Sequence, residues 1–299
     1  MICEWTKLLG ILPGWLAAEV DKYGRKDLQE LRLRLGQVPE LNLGCRSLWL
    51  DRIVSKDDLS FVVNTASSYS PWAASSMREG YLTASGGHRI GICGEAVLNN
   101  GMLETMRNIH SLCIRVARDF PGISGSASVL TGSILLLGPP GSGKTTLLRD
   151  LLRRISANET VGVVDQRGEI FPEGITRGRR MDVLTGCSKA EGIEILLRTM
   201  GPACIGVDEI TSEADAQALL RAGWCGVRLI ATAHAATVED LQCRPVYKPL
   251  TQKRLFDHIL VLTGTNAGRR RKYHDFQGIG RNSHCVGLRW IRYDDLLRL

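Results

Sequence analysis

Gly138-Pro139-Pro140-Gly141-Ser142-Gly143-Lys144-Thr145 follows a short apolar run, Ser133-Ile134-Leu135-Leu136-Leu137. It precedes a segment in which Leu147, Leu148, Leu151, Leu152 and Ile155 recur at helical spacing. The stretch fulfils G-x-x-x-x-G-K-[ST] in the strand–turn–helix setting that gives this pattern its meaning. Glycines let a turn point its N–H groups inward around an anion with no Cβ in the way. The N-terminus of the following helix adds about half a positive charge there. Read this way, residues 138–143 cradle the phosphates of ATP and Lys144 reaches the β- and γ-phosphates. Thr145 ligates Mg²⁺, and Thr146 contacts the α-phosphate.

From residue 133 onward, apolar runs alternate with helical segments. SILLLG, KTTLLRDLLRRI, TVGVVD, KAEGIEILLRTM, ACIGVD, EADAQALLRAG, VRLIATA, TVEDLQ and HILVL follow one another. That alternation predicts right-handed crossovers and a mainly parallel sheet, with strands apolar throughout because both faces are covered. Functional loops then fall at the strands' C-terminal ends, and three of those ends are loaded. Cys204-Ile205-Gly206-Val207 runs into Asp208-Glu209; Asp208 is expected to hold Mg²⁺ through water, and Glu209 to act as the base that orients the attacking water. Val163-Val164 runs into Asp165-Gln166-Arg167-Gly168-Glu169, and Ala231-Thr232-Ala233 into His234. Asp165, Glu169 and His234 are therefore expected to face the phosphates, His234 as a hydrogen-bonding group at the γ-phosphate.

Residues 1–118 have a different texture and read as a smaller α+β domain. Leu28, Leu31, Leu33 and Leu35 largely alternate with polar residues, as in a half-buried strand. Asp57 or Asp58 is expected to cap a helix carrying Leu59, Val62, Val63, Ala66 and Tyr69. Residues 80–98 read as a hairpin about Gly86-Gly87, with a second turn at Asn99-Asn100-Gly101. Residues 119–132, rich in Gly and Ser, are expected to link this domain to an ATPase domain at 133–299. Trp5, Leu8, Leu9, Leu12, Trp15 and Leu16 lie at roughly helical spacing and suit either an interfacial helix or one packed on its own domain.

The chain carries 38 Lys+Arg against 31 Asp+Glu, a formal charge of +7. That permits anionic partners without selecting one. The basic run at 269–272 reads as a solvated loop. With 6% aromatics and no aromatic–basic interleaving, no specific nucleic-acid partner is expected. The 44% apolar and 23% charged residues exclude a chain disordered throughout. No window approaches the roughly 18 apolar residues of a spanning helix. An odd count of 9 cysteines without a C-x-x-C pair fits reduced thiols. His274, His284 and Cys285 are too scattered for a metal site.

The order of phosphate loop, acidic box, DE strand and T-x-H box resembles the traffic ATPases of secretion and type IV pili. GPPGSGKTTLLRDL, VVDQRGEI, DVLTGCSKAEGI, VDEI and ATAHA, with LRLRLGQVPELNLG, GYLTASGGHRIGICGEAVL and SLCIRVAR before them, resemble the stage III sporulation protein AA family. The resemblance implies a RecA-like P-loop domain and a cytoplasmic ATPase that assembles as a homo-oligomeric, hexameric ring. It would lie peripherally at the inner face of the mother-cell membrane. There it would energise assembly of, or transport through, a channel complex of integral-membrane proteins between mother cell and forespore. It also implies that Arg115 reaches the nucleotide from the first domain. Two departures stand out. Gln166 takes a place where the family often has Glu, and Thr211-Ser212 one where Gly-Arg is frequent; Ser212 with Asp215 reads instead as a helix capping box. The competing readings are a nucleic-acid-dependent P-loop ATPase and a nucleotide-binding scaffold without appreciable turnover.

Overall fold

The computed structural model describes residues 2–44, 46–67, 80–125, 131–235, 237–263, 270–275 and 290–292. The chain divides into two units, Met1–Asp119 with Pro172–Ile175, and Phe120–Phe171 with Thr176–Leu299.

The first unit opens with helices α1 (Trp5–Gly10) and α2 (Gly14–Gly24), parted at Pro13, which stands at the N-cap of α2. Trp5, Leu8, Leu12 and Leu16 are buried in the unit's own core, so the apolar stripe packs inward. A six-stranded antiparallel sheet follows, built from β1 (Glu30–Arg34), β2 (Glu40–Asn42), β3 (Ser47–Trp49), β4 (Tyr81–Ala84), β5 (His88–Asn99) and β6 (Met102–Arg115). Its order is β3-β2-β1-β6-β5-β4, with β4 and β5 pairing as the hairpin expected at residues 80–98. Leu31 and Leu33 alternate inward along β1, while Leu35 lies beyond the strand and is exposed. Helix α3 (Lys56–Ala66) is capped by Ser55 rather than by Asp57 or Asp58. Ser55 Oγ accepts the Asp58 N–H at 3.1 Å, and the Asp58 carboxylate accepts the Ser55 N–H at 2.9 Å. Asp58 is thus the third residue of the helix and the partner of the cap in a capping box. Tyr69 lies outside the described residues.

The second unit holds an eight-stranded sheet with the order β14-β13-β12-β7-β11-β10-β8-β9. Its strands are β7 (Ile134–Leu137), β8 (Val161–Asp165), β9 (Met181–Thr185), β10 (Cys204–Val207), β11 (Arg228–Ala233), β12 (His258–Thr263), β13 (Arg270–Asp275) and β14 (Trp290–Arg292). From β12 through β9 all neighbours are parallel; β13 and β14 add antiparallel pairs at one edge. The basic run read as a loop therefore enters strand β13. The helices are α4 (Lys144–Ile155), α5 (Lys189–Thr199), α6 (Glu213–Trp224), α7 (Val238–Cys243) and α8 (Lys248–Gln252). β7, β8 and β10 are buried along their whole length, as their unbroken apolar sequences require.

Close packing fixes α4 against the sheet. Leu147, Leu148, Leu151 and Leu152 are buried, and a Cβ at Gly206 on β10 would stand 2.3 Å from Leu152 Cδ1. Only glycine lets the helix approach that strand so closely. β7 sits between β11 and β12, with β10 beyond β11. This order sets the phosphate-loop strand one strand away from the strand that ends in Asp208-Glu209, and β11 bridges them.

Candidate active site

The loop leaving β7 has the backbone its glycines allow. Gly141 and Gly143 take φ of 73° and 91°, a region that side chains disfavour, and Gly143 stands at the N-cap of α4. A Cβ on Gly138 would lie 2.5 Å from Ser142 Oγ and 2.9 Å from the Leu262 carbonyl, so the loop's base is closed to any larger residue. Pro139 and Pro140 are exposed, and Ser142 is buried. Lys144 is buried and folds back over the loop, donating to the carbonyls of Gly138 at 2.8 Å and Pro139 at 2.9 Å. Burial pushes its ammonium below the usual lysine range, and the charges of Asp208 and Glu209 act the other way.

β10 and β11 deliver the acidic pair and the histidine to this loop. Thr145 Oγ1 donates to Asp208 Oδ2 at 2.7 Å. Thr232 is fully buried on β11; it donates to Asp208 Oδ1 and accepts the Glu209 N–H at 2.8 Å. Glu209 has φ of 54°, a left-handed conformation uncommon outside glycine and costing on the order of 1–3 kcal/mol. That turn sends its carboxylate to His234 Nε2, with Arg167 4.0 Å away on the other side. His234 Nδ1 lies 3.2 Å from Lys144 Nζ. An ammonium can only donate, so Nδ1 accepts and Nε2 carries the proton toward Glu209. Lys144, His234 and Glu209 thus form one hydrogen-bonded chain across the ends of β7, β11 and β10.

The acidic box after β8 behaves differently. Asp165 is buried, and its carboxylate accepts the N–H groups of Glu169 at 2.8 Å, Ile170 at 3.0 Å and Phe171 at 2.8 Å. Burial pushes its pKa up; the N–H groups of Phe171 and Ile170 and the Arg149 charge pull the other way. Asp165 thereby shapes the 166–171 loop. Asp165 and Glu169 both line a small pocket of about 30 Å³ together with Gln166, Arg167, Lys189, Asp208 and Glu209, room for a water-sized group. Thr146 follows in the first turn of α4. Arg115 ends β6 in the first unit, 3.7 Å from Glu30.

A family model described as "Sporulation stage III, protein AA" matches residues 12–280. The chain belongs to the stage III sporulation protein AA family. The Stage III sporulation protein AA of Bacillus subtilis (strain 168) is 35% identical over 263 residues, which span 82% of this chain and 86% of that one. Among solved structures, the Legionella pneumophila ATPase DotB superposes with a TM-score of 0.63 at 18% identity, covering 90% of this chain and 82% of its own. The pilus retraction motor PilT with bound ADP gives a TM-score of 0.61 at 16% identity, covering 86% and 80%. At these identities the likeness carries the fold: a mixed α/β, RecA-like domain with a mainly parallel sheet, the class expected from the sequence.

In this member of the family, the loop residues, Thr145, Asp208, Glu209 and His234 meet at one end of the sheet. The capping box read at Ser212 and Asp215 is present at the start of α6. Two contributors escaped the sequence reading. Arg149, buried on α4, donates to the carbonyls of Ile170 and Glu169, fastening the acidic-box loop to the phosphate-loop helix. In sequence it looks like one more charge on an amphipathic helix. Thr232 was quoted only as part of the T-x-H box, yet alternation along a strand puts it on the same face as His234. Thr232→Val is expected to leave the Glu209 N–H without its partner and to lower unfolding free energy by about 1–3 kcal/mol. Urea unfolding with an unchanged midpoint and slope would contradict that role.

Proposed function

We propose that this protein is a Mg²⁺-dependent ATPase that works as a homo-oligomeric ring, a hexamer, on the cytoplasmic face of the mother-cell membrane. There it energises assembly of, or transport through, a channel complex of integral-membrane proteins between mother cell and forespore. The observation that carries this reading is the convergence of Lys144, Thr145, Asp208, Glu209 and His234 on one phosphate-loop end of a parallel sheet, in a chain of this family. No helix among the described residues is long and apolar enough to cross a membrane. In this reading an integral-membrane partner holds the ring at the membrane.

The residues fit ATP and Mg²⁺. The buried Ser142 Oγ has no hydrogen-bond partner among the described residues, the cradle at Gly138 excludes a side chain, and Thr145 with Asp208 offers the hard oxygen donors that Mg²⁺ prefers. Bound Mg²⁺ supplies neutralisation of the charge that builds on the β- and γ-oxygens. The chain's own groups do the rest. Residues 138–143 and Lys144 bind and orient the phosphates, with Thr146 placed for the α-phosphate. Thr145 and Asp208 hold the metal, Asp208 through water. Glu209 accepts a hydrogen bond from the attacking water at its carboxylate, and His234 keeps that carboxylate aimed. Glu169 lines the pocket beside it. Arg115 is a further candidate nucleotide contact, from the family resemblance.

Hydrolysis measured beside light-scattering mass, with and without nucleotide, tests the ring. The expected result is turnover that rises as particles reach six times the 32.9 kDa chain mass. Hydrolysis per chain that stays flat across the assembly range would contradict an ATPase that works as a ring.

A further inference from the structure

Lys189 is a half-buried cation beside the acidic strand end that the mechanism above leaves without a task. It opens α5 directly after the N-cap Ser188, whose hydroxyl accepts the Glu191 N–H at 3.2 Å. A cation in a helix's first turn opposes the macrodipole, which costs about 0.3–1 kcal/mol. Helix formation therefore does not explain the residue. Its side chain is only 13% exposed, a burial that lysine seldom accepts without a purpose for its charge.

Two groups receive the ammonium, one on the loop after β8 and one in the first turn of α6, the helix that follows Glu209. Gln166 Oε1, at 3.4 Å, belongs to the loop after β8 that presents Glu169. Asp215 Oδ2, at 3.9 Å, belongs to the capping box that follows Glu209. That same oxygen accepts the N–H groups of Thr211 and Ser212, each at 3.1 Å, and so organises the turn between Glu209 and α6. Lys189 also lines the pocket shared with Glu169, Asp208 and Glu209. Both separations exceed the roughly 2.7–2.9 Å of a tight charge-assisted bond. The tether is electrostatic and has slack, so either loop can shift by tenths of an ångström without breaking it.

We infer that Lys189 is a positioning residue. It ties the loop after β8 to the loop after β10 and so sets where Glu209 stands over the pocket that admits the attacking water. The inference rests on the ATPase reading of the same site. Its effect belongs to the chemical step, because neither Gln166 nor Asp215 lies on the phosphate loop. A misplacement of about 1 Å at a reacting group costs on the order of 10²-fold in rate.

The test uses the full chain with ATP and Mg²⁺. Lys189→Met keeps the aliphatic stem and removes the charge. It is expected to lower kcat by about 10- to 100-fold while KM, and ADP affinity by calorimetry, stay within about threefold. Lys189→Arg, which restores the charge, is expected to recover a measurable part of the lost kcat. A residue that merely held the fold together would lower the melting temperature and ADP affinity together and would not split kcat from KM. Wild-type kcat in Lys189→Met, loss of ADP affinity in step with kcat, or no recovery with arginine would each overturn the assignment. If the wild-type chain turns over ATP and Lys189→Met matches it, the inference alone fails. If the wild-type chain does not turn over ATP, the ATPase reading fails and takes this one with it.

Discussion

Glu209→Gln is expected to reduce ATP turnover by about 10²–10⁴-fold, the range for loss of a positioned base, while nucleotide binding survives. The structural reason is that Glu209 touches the rest of the site through groups an amide can still satisfy. Its backbone N–H stays on Thr232 Oγ1, and an amide oxygen can accept the proton of His234 Nε2 as the carboxylate does. The pair with Arg167 is exposed and at 4.0 Å, and contributes little. Glutamine therefore preserves the turn at φ of 54° and the packing of β10, and loses only the ability to take a proton from water. Single-turnover hydrolysis separates the two effects: binding at the wild-type level with the chemical step removed is the expected pattern. Wild-type turnover would remove Glu209 from the mechanism.

Lys144→Ala should lose binding together with turnover. The ammonium now bonded to the carbonyls of Gly138 and Pro139 is the charge expected to meet the β- and γ-phosphates. A hydrogen bond to a charged group contributes about 1.5–3 kcal/mol, so the variant is expected to bind ATP about 10- to 150-fold more weakly and to lose turnover as well. Two features protect the fold. Lys144 is the first residue of α4, where a backbone N–H lacks a helical partner in any case. The leucines that anchor the helix begin at Leu147. Equilibrium binding of a fluorescent ATP analogue, beside a thermal melt, checks this. Unchanged affinity in a folded Lys144→Ala protein would mean that the loop does not hold the phosphates.

The parts of this molecule that were legible in sequence are those where chemistry and chain order coincide. Residues 138–145 carry a turn, an anion cradle and a helix start in one continuous stretch. Asp208-Glu209 and His234 end strands whose apolar runs announce them. The unread parts depend on partners far along the chain. Arg149 meets a loop about twenty residues away, and nothing in LLRDLL separates it from a solvated arginine. Thr232 matters because β11 lies between β7 and β10, an order that no local pattern encodes. The hold of Asp165 on its own loop was unread as well: its carboxylate accepts the backbone N–H groups just after it, as aspartate's short side chain favours in turns. β9 and β13 escaped notice for another reason. β9 lies at the sheet's edge with a mixed, half-exposed pattern, and β13 is rich in basic residues, so neither shows the apolar run that marks the strands between them.

The same logic explains why Ser55, not an aspartate, caps α3. Both Asp57 and Asp58 are chemically able to cap, but the residue three positions before Asp58 offers a reciprocal pair of bonds. A capping box satisfies two orphan donors where a lone aspartate satisfies one. The box at Ser212 and Asp215 is spelled the same way and is present at the start of α6.

Isothermal titration of the full chain with ATP in the presence of Mg²⁺ tests the central claim most directly. Saturable heat whose affinity falls about 10- to 150-fold in Lys144→Ala and stays at the wild-type level in Glu209→Gln is the expected result. No heat with the folded wild-type protein would contradict a nucleotide site at residues 138–145 and, with it, the motor built upon that site.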